Sequence, residues 1–127
     1  MNNETTLTIK KLSFQLLVAD LQRSIDFYTS KLGFELDFVY EDFYAGIIKN
    51  GFSIHLKCAM PVPEERQHKR SNNHLDIIIS TEDIDAVYAA MLSQSIDIVQ
   101  PICDQPYGRE FYIADPDGYI IALLAQS

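Results

Sequence analysis

The sequence predicts an α+β fold built from two βαβββ modules in tandem. Two observations lead there. Ser13–Phe34 (SFQLLVADLQRSIDFYTSKLGF) is echoed by His74–Ile96 (HLDIIISTEDIDAVYAAMLSQSI): each runs from an apolar strand-like stretch through polar residues into a helical repeat. Each copy is then followed by strand material interrupted by a hairpin turn, Asn50-Gly51 in the first and Asp115-Pro116-Asp117-Gly118 in the second. A chain of 127 residues is the length of a single domain, with room for both copies.

The elements follow in order. Phe14–Val18 is the first strand, and Asp20 is suited to begin a helix. Leu21, Ile25, Tyr28 and Leu32 recur at helical spacing, and Gly33 stops the helix. Phe34–Tyr40, Phe43–Lys49 and Phe52–Lys57 are the next three strands. Residues 12–57 make the first module, and the polar segment 58–73, with Pro61 and Pro63, reads as an exposed linker. The second module covers 74–126. Leu75–Ile79 is its first strand, with a helix start at Ser80-Thr81. Ile84, Val87, Tyr88, Met91 and Leu92 give the helical stripe, which ends near Gln94-Ser95. Ile96–Gln100 is a short strand, and Arg109–Ala114 and Tyr119–Ala125 flank the last turn. Phe14, Phe27 and Tyr28 are expected in the helix–sheet core.

Composition excludes several classes of function. Ten Lys and Arg against 18 Asp and Glu give a net charge of −8, which is wrong for neutralising phosphates, so no nucleic-acid partner is expected. No apolar run approaches membrane-spanning length, and residues 1–8 lack a signal-peptide core, so a cytoplasmic location without membrane association is expected. Cys58 and Cys103 fit no metal or redox spacing and read as reduced thiols. Neither a Gly-x-Ser-x-Gly turn nor a glycine-rich phosphate loop is present.

Three stretches carry a family resemblance: Val18–Tyr28 with Leu32-Gly33-Phe34, His74–Ile79 with its helix, and Gln105–Tyr112 running into Asp115–Gly118. With them the chain resembles the vicinal oxygen chelate superfamily, which includes glyoxalase I, bleomycin-resistance proteins, fosfomycin-resistance enzymes and extradiol dioxygenases. The likeness extends from Leu12 to Gln126. It implies cupped mixed sheets with helices outside, facing each other within a chain or across a homodimer to enclose a cavity. In metal-dependent members it also implies four His or Glu ligands, one at the start of each module's first strand and one on each module's last strand.

Carried onto this sequence, those four positions hold Ser13, His55, His74 and Ala122. Neither Ser13 nor Ala122 supplies the base or anionic ligand that glyoxalase-type chemistry uses, and catalytic zinc sites generally take three protein ligands. Two readings stay open. One is a metal-free binder of a small amphipathic or cationic ligand, with no cofactor and no catalytic residue, similar to the bleomycin-resistance branch. The other is a divergent glyoxalase-like lyase or dioxygenase with one divalent metal ion on His55 and His74. Strand alternation sends His55 and Lys57, and His74 and Asp76, to the cavity side, with Leu75, Ile77 and Ile79 towards the helix. With Gln15, Phe38, Tyr44, Tyr107, Glu110 and Tyr112 they form the expected ligand-binding set. Asp115 and Asp117 read as turn residues.

Charge points to one half of the cavity. Residues 1–73 carry nine acids and nine bases, whereas residues 74–127 carry nine acids and Arg109 alone. Helix-start and turn positions account for Glu82, Asp83, Asp85, Asp115 and Asp117. Of the rest, Asp76, Asp104 and Glu110 are the candidate pocket charges.

Overall fold

The computed structural model describes residues 5–60 and 63–126. Two four-stranded mixed sheets and three helices build it. In the first module β1 (Ser13–Val18) leads to α1 (Leu21–Asp26), which widens into a π-helical turn over Phe27–Lys31; β2 (Glu35–Tyr40), β3 (Tyr44–Lys49) and β4 (Phe52–Cys58) follow. The second module repeats the plan with β5 (Ile77–Ser80), α3 (Ile84–Ser93), β6 (Asp97–Gln105), β7 (Gly108–Ala114) and β8 (Ile120–Gln126). The sheet orders are β1-β4-β3-β2 and β5-β8-β7-β6. In each, the first strand pairs parallel with the last and the other pairs are antiparallel.

Local chemistry accounts for most element ends. Asp20 caps α1, its carboxylate accepting from the Arg23 backbone N–H. Gly33 turns the chain at φ +77°, and Phe34 N–H reaches back to the Tyr28 carbonyl. The second helix starts later than Ser80-Thr81 suggests. Asp83, at φ +52°, holds the N-cap position of α3, and its side chain makes no hydrogen bond to the helix.

One apolar core joins both modules. It contains Leu16, Val18, Ile25, Tyr28, Ile47 and Leu56 from the first, and Ile77, Ile84, Met91, Phe111, Ile113 and Ile121 from the second. These residues lie on the helix-facing sides of the sheets, so the modules pack back to back and the opposite faces look outward. The last hairpin turn fastens the joint. Asp117 accepts from Ala19 N–H at 2.9 Å and from Ser24 Oγ at 3.2 Å, and Tyr119 Oη donates to the Leu17 carbonyl at 2.7 Å.

Three expectations need correction. The segment between the modules is not simply an exposed linker: Pro63–Ser71 forms a helix, α2. Leu75 does not face α3. The strand begins only at Ile77, and Leu75 packs with Tyr112, Ala114, Ile120 and Ala122 on the outward side of the second sheet. Phe14 lies outside the core at 44% exposure, because it lines an open cavity between the modules, whereas Phe27 and Tyr28 are buried as expected. In addition, β6 runs to Gln105, beyond the expected end at Gln100.

Candidate functional site

The outward face of the first sheet carries an aromatic wall. Parallel register sets Gln15 beside His55, and antiparallel register sets Gly46 beside His55 and Tyr44 beside Lys57. Tyr44 Oη donates to Gln15 Oε1 at 3.0 Å and lies 3.0 Å from His55 Nδ1. With that proton directed at Gln15, the Tyr44 oxygen can accept from His55 Nδ1–H, the tautomer that leaves the Nε2 lone pair free. Phe38 stands edge-on to His55 with ring centroids 5.2 Å apart and stacks on Tyr44 at 6.1 Å. Gly46 makes this possible: a Cβ there would clash with the Phe38 ring. Phe38 therefore lies flat against β3. Beside Ser13 in register, Ser53 is buried, and its Oγ has no hydrogen-bond partner among the described residues.

The outward face of the second sheet has a different character. Glu110 and Tyr112 alternate along β7, opposite Cys103 and Gln100 of β6. Glu110 is only 3% exposed, and it accepts a short hydrogen bond from Tyr107 Oη. That bond holds the phenol protonated, pushing Tyr107 up to about 12. Burial, with the Glu110 charge behind it, also raises Tyr112. Gln100 and Gln105 direct their amides at Cys103 Sγ, at 3.3 and 3.7 Å. Sequence reading missed Gln100, Cys103 and Gln105 as face residues; the register breaks in β6 between Ile98 and Gln100 and between Gln100 and Cys103 hide their alternation.

Helix α2 supplies the cations that the second module lacks. Lys69 Nζ lies 2.7 Å from Asp76 Oδ1 and 4.4 Å from the Tyr119 ring centroid. Arg70 forms a two-pronged pair with Asp97, which holds that carboxyl below its ordinary value. Arg66 Nε donates to the Asp117 carbonyl at 3.0 Å. Arg109 is taken up by Asp85 and Asp104. Of the three expected pocket charges, Asp76 and Asp104 are thus paired. Glu110 has no ion-pair partner among the described residues.

The sequence of residues 10–123 matches the family model described as glyoxalase/bleomycin resistance protein/dioxygenase superfamily. The chain belongs to this superfamily. Solved members share its architecture. An antibiotic-binding protein from Streptomyces sp. CB03234 superposes with a TM-score of 0.75 at 22% identity, covering 97% of this chain and 100% of its own. The bleomycin-binding protein of bleomycin-producing Streptomyces verticillus, in complex with copper(II)-bleomycin, gives 0.67 at 21% identity, covering 96% and 100%. A glyoxalase/bleomycin resistance protein/dioxygenase from Nocardioides gives 0.70 at 22% identity, covering 96% and 86%. No curated protein sequence matches the chain.

The superfamily's metal quartet does not fit the residues present. His55 lies on β4 of the first sheet, whereas His74 precedes β5 of the second and stands 3.7 Å from Asp76, which Lys69 already holds. Ser13 offers a hydroxyl, and Ala122 is a buried methyl. Among the described residues no three His, Cys, Asp or Glu side chains are grouped to hold an ion. Gln15, Phe38, Tyr44 and His55 are in mutual contact, with Lys57 next in register; Tyr107, Glu110 and Tyr112 form a second group, and His74 and Asp76 a third.

Proposed function

We propose that the chain sequesters a small amphipathic molecule bearing a positive charge, making and breaking no bond and using no metal. The groove is closed by a second copy in the cytosol, so that the aromatic wall of one chain faces the Glu110 side of the other. The observation that carries the reading is Glu110 itself. Glu110 has the Tyr107 hydroxyl as a hydrogen-bond partner but, among the described residues, no cation, and a ligand ammonium or guanidinium would supply the opposite charge. The exposed apolar side chains Leu17 and Phe38 on the first sheet's outward face support closure by a partner. Superfamily members that bind bleomycin and another antibiotic share the fold and give the ligand class a precedent.

The test is a calorimetric and thermal-shift screen with metal-free bleomycin and planar cationic dyes. Binding of at least one cation is expected, and Glu110→Gln, which keeps an acceptor for Tyr107, should weaken it tenfold or more. Equal binding by the variant overturns the reading, as does stoichiometric metal in protein purified without chelator. Sedimentation should find a dimer.

A further inference from the structure

The back-to-back joint is pseudo-symmetric, and its two ends are filled differently. At one end the β7–β8 connection, Asp115–Tyr119, reaches into the first module and meets Ser24 of α1 and Tyr28 of the π-helical turn that continues it. Those residues stand four and eight positions after the cap Asp20. The same positions after the cap Asp83 are Val87 and Met91 of α3. At that end the connection is the two-residue Asn50-Gly51 turn, with no acid to insert, and neither Val87 nor Met91 carries a hydroxyl to receive one. The short turn leaves a cavity of about 520 Å³, lined by Val87 and Met91 together with Leu32, Phe34, Phe52 and Ile79.

The geometry points to a second ligand site in this cavity, one that takes a medium-chain carboxylate with its hydrocarbon among the apolar side chains and its acid group at Lys49. The volume falls in the range of small-molecule sites. Among the described residues, Lys49 is the one charged side chain lining the cavity, and no acid lines it. Its Nζ gives one hydrogen to the Gly33 carbonyl at 3.1 Å, which leaves two donors. Asn50, next to it in sequence, and Ser80 and Thr81 of the second module also line the cavity and carry hydrogen-bonding groups. A cationic molecule would meet Lys49 unfavourably, so this site selects the charge opposite to that expected at Glu110. Neither Glu110 nor His55 lines it, so it stands independently of the proposed groove.

Titration with decanoate, decanol and decyltrimethylammonium below their micelle concentrations tests the site, read by calorimetry and thermal shift. Wild-type protein should bind decanoate saturably, and at least fivefold more tightly than decyltrimethylammonium. Lys49→Gln should remove that preference while decanol binding stays unchanged, and the remote surface variant Lys10→Gln should not. Val87→Phe fills the cavity and should abolish both decanoate and decanol binding. Where that variant fails to fold, Lys49→Gln and the charge preference decide alone. Absence of saturable decanoate binding overturns the inference. So does retention of binding in folded Val87→Phe, or a changed oligomeric state in that variant, which would make the cavity a contact between copies. A cationic dye held in the proposed groove should not compete with decanoate, so either site can fail without the other.

Discussion

The hydroxyl of Tyr28, on the first helix, donates to Asp115 Oδ2 in the last hairpin turn at 2.8 Å, with both residues buried. The contact joins the two modules through a carboxylate that has been taken out of water. Burial raises Asp115 to about 6, opposed by the hydrogen bonds from Tyr28 and from the Tyr119 and Asp117 backbone.

A pH dependence of stability follows. The folded chain holds the Asp115 proton more tightly than the unfolded chain, so this group contributes stability that is complete below about pH 4 and lost as pH rises through about 6. Asp115→Asn resembles the protonated form and lacks the titration. Urea unfolding from pH 5 to 8 should show the variant gaining on wild type as pH rises, by on the order of 1–3 kcal/mol at pH 8. A difference that does not vary with pH would sink this assignment.

Gly46 and Phe38 are predicted to be coupled. A methyl at Gly46 must displace the Phe38 ring, and overpacking of this kind costs roughly 1–3 kcal/mol. Phe38→Ala vacates the space. Gly46→Ala should therefore destabilise wild type and be close to neutral in the Phe38→Ala background, as measured by a double-mutant cycle. Additive effects would mean that the ring does not lie over Gly46.

Two cations of α2 should differ in worth. Lys69 and Asp76 are mostly buried, and Asp76 also accepts from the Ile120 backbone N–H at 2.9 Å. Lys69→Met leaves that carboxylate without its cation and should cost about 1–3 kcal/mol. Arg70 and Asp97 are about half exposed, so Arg70→Met should cost no more than about 1 kcal/mol and less in high salt. Chemical denaturation at low and high salt checks both, and equal costs would contradict the burial argument.

The same helix marks the boundary of what sequence reveals. The module plan was readable because apolar periodicity and turn residues act locally: Asp20, Gly33 and Asn50-Gly51 stand where those signals put them. Helix α2 was not, since Arg66, Lys69 and Arg70 fix it to Asp117, Asp76 and Asp97 rather than through an apolar stripe. Asp115 and Asp117 were readable as turn residues, and they are. Their docking onto Tyr28, Ser24 and Ala19 was hidden because those partners lie 87 to 98 residues away. On the candidate faces, alternation put His55 on the side away from the helix, and the charge distribution singled out Glu110. Alternation misplaced Leu75, which precedes the strand, and it could not see that Phe38 needs Gly46 beneath it.

Tyr44 is predicted to set which His55 nitrogen carries the proton. A free neutral imidazole has both tautomers open to it, and the partner of one ring nitrogen decides between them. Here the Tyr44 proton is directed to Gln15 Oε1, so the Tyr44 oxygen is left to accept from His55 Nδ1–H. Nitrogen-15 NMR of the neutral form should find Nδ1 protonated and Nε2 bare. Tyr44→Phe removes the acceptor while preserving the ring that stacks on Phe38, so the tautomer should shift towards Nε2–H with little loss of stability. Gln15→Leu should act in the opposite way to a purely structural change: it frees the Tyr44 proton to point at His55 Nδ1, which also favours Nε2–H although Tyr44 itself remains. If Nδ1–H persists in both variants, another group holds the proton. If wild type already shows Nε2–H, the Tyr44 proton points at His55, and the free lone pair assigned to Nε2 does not exist.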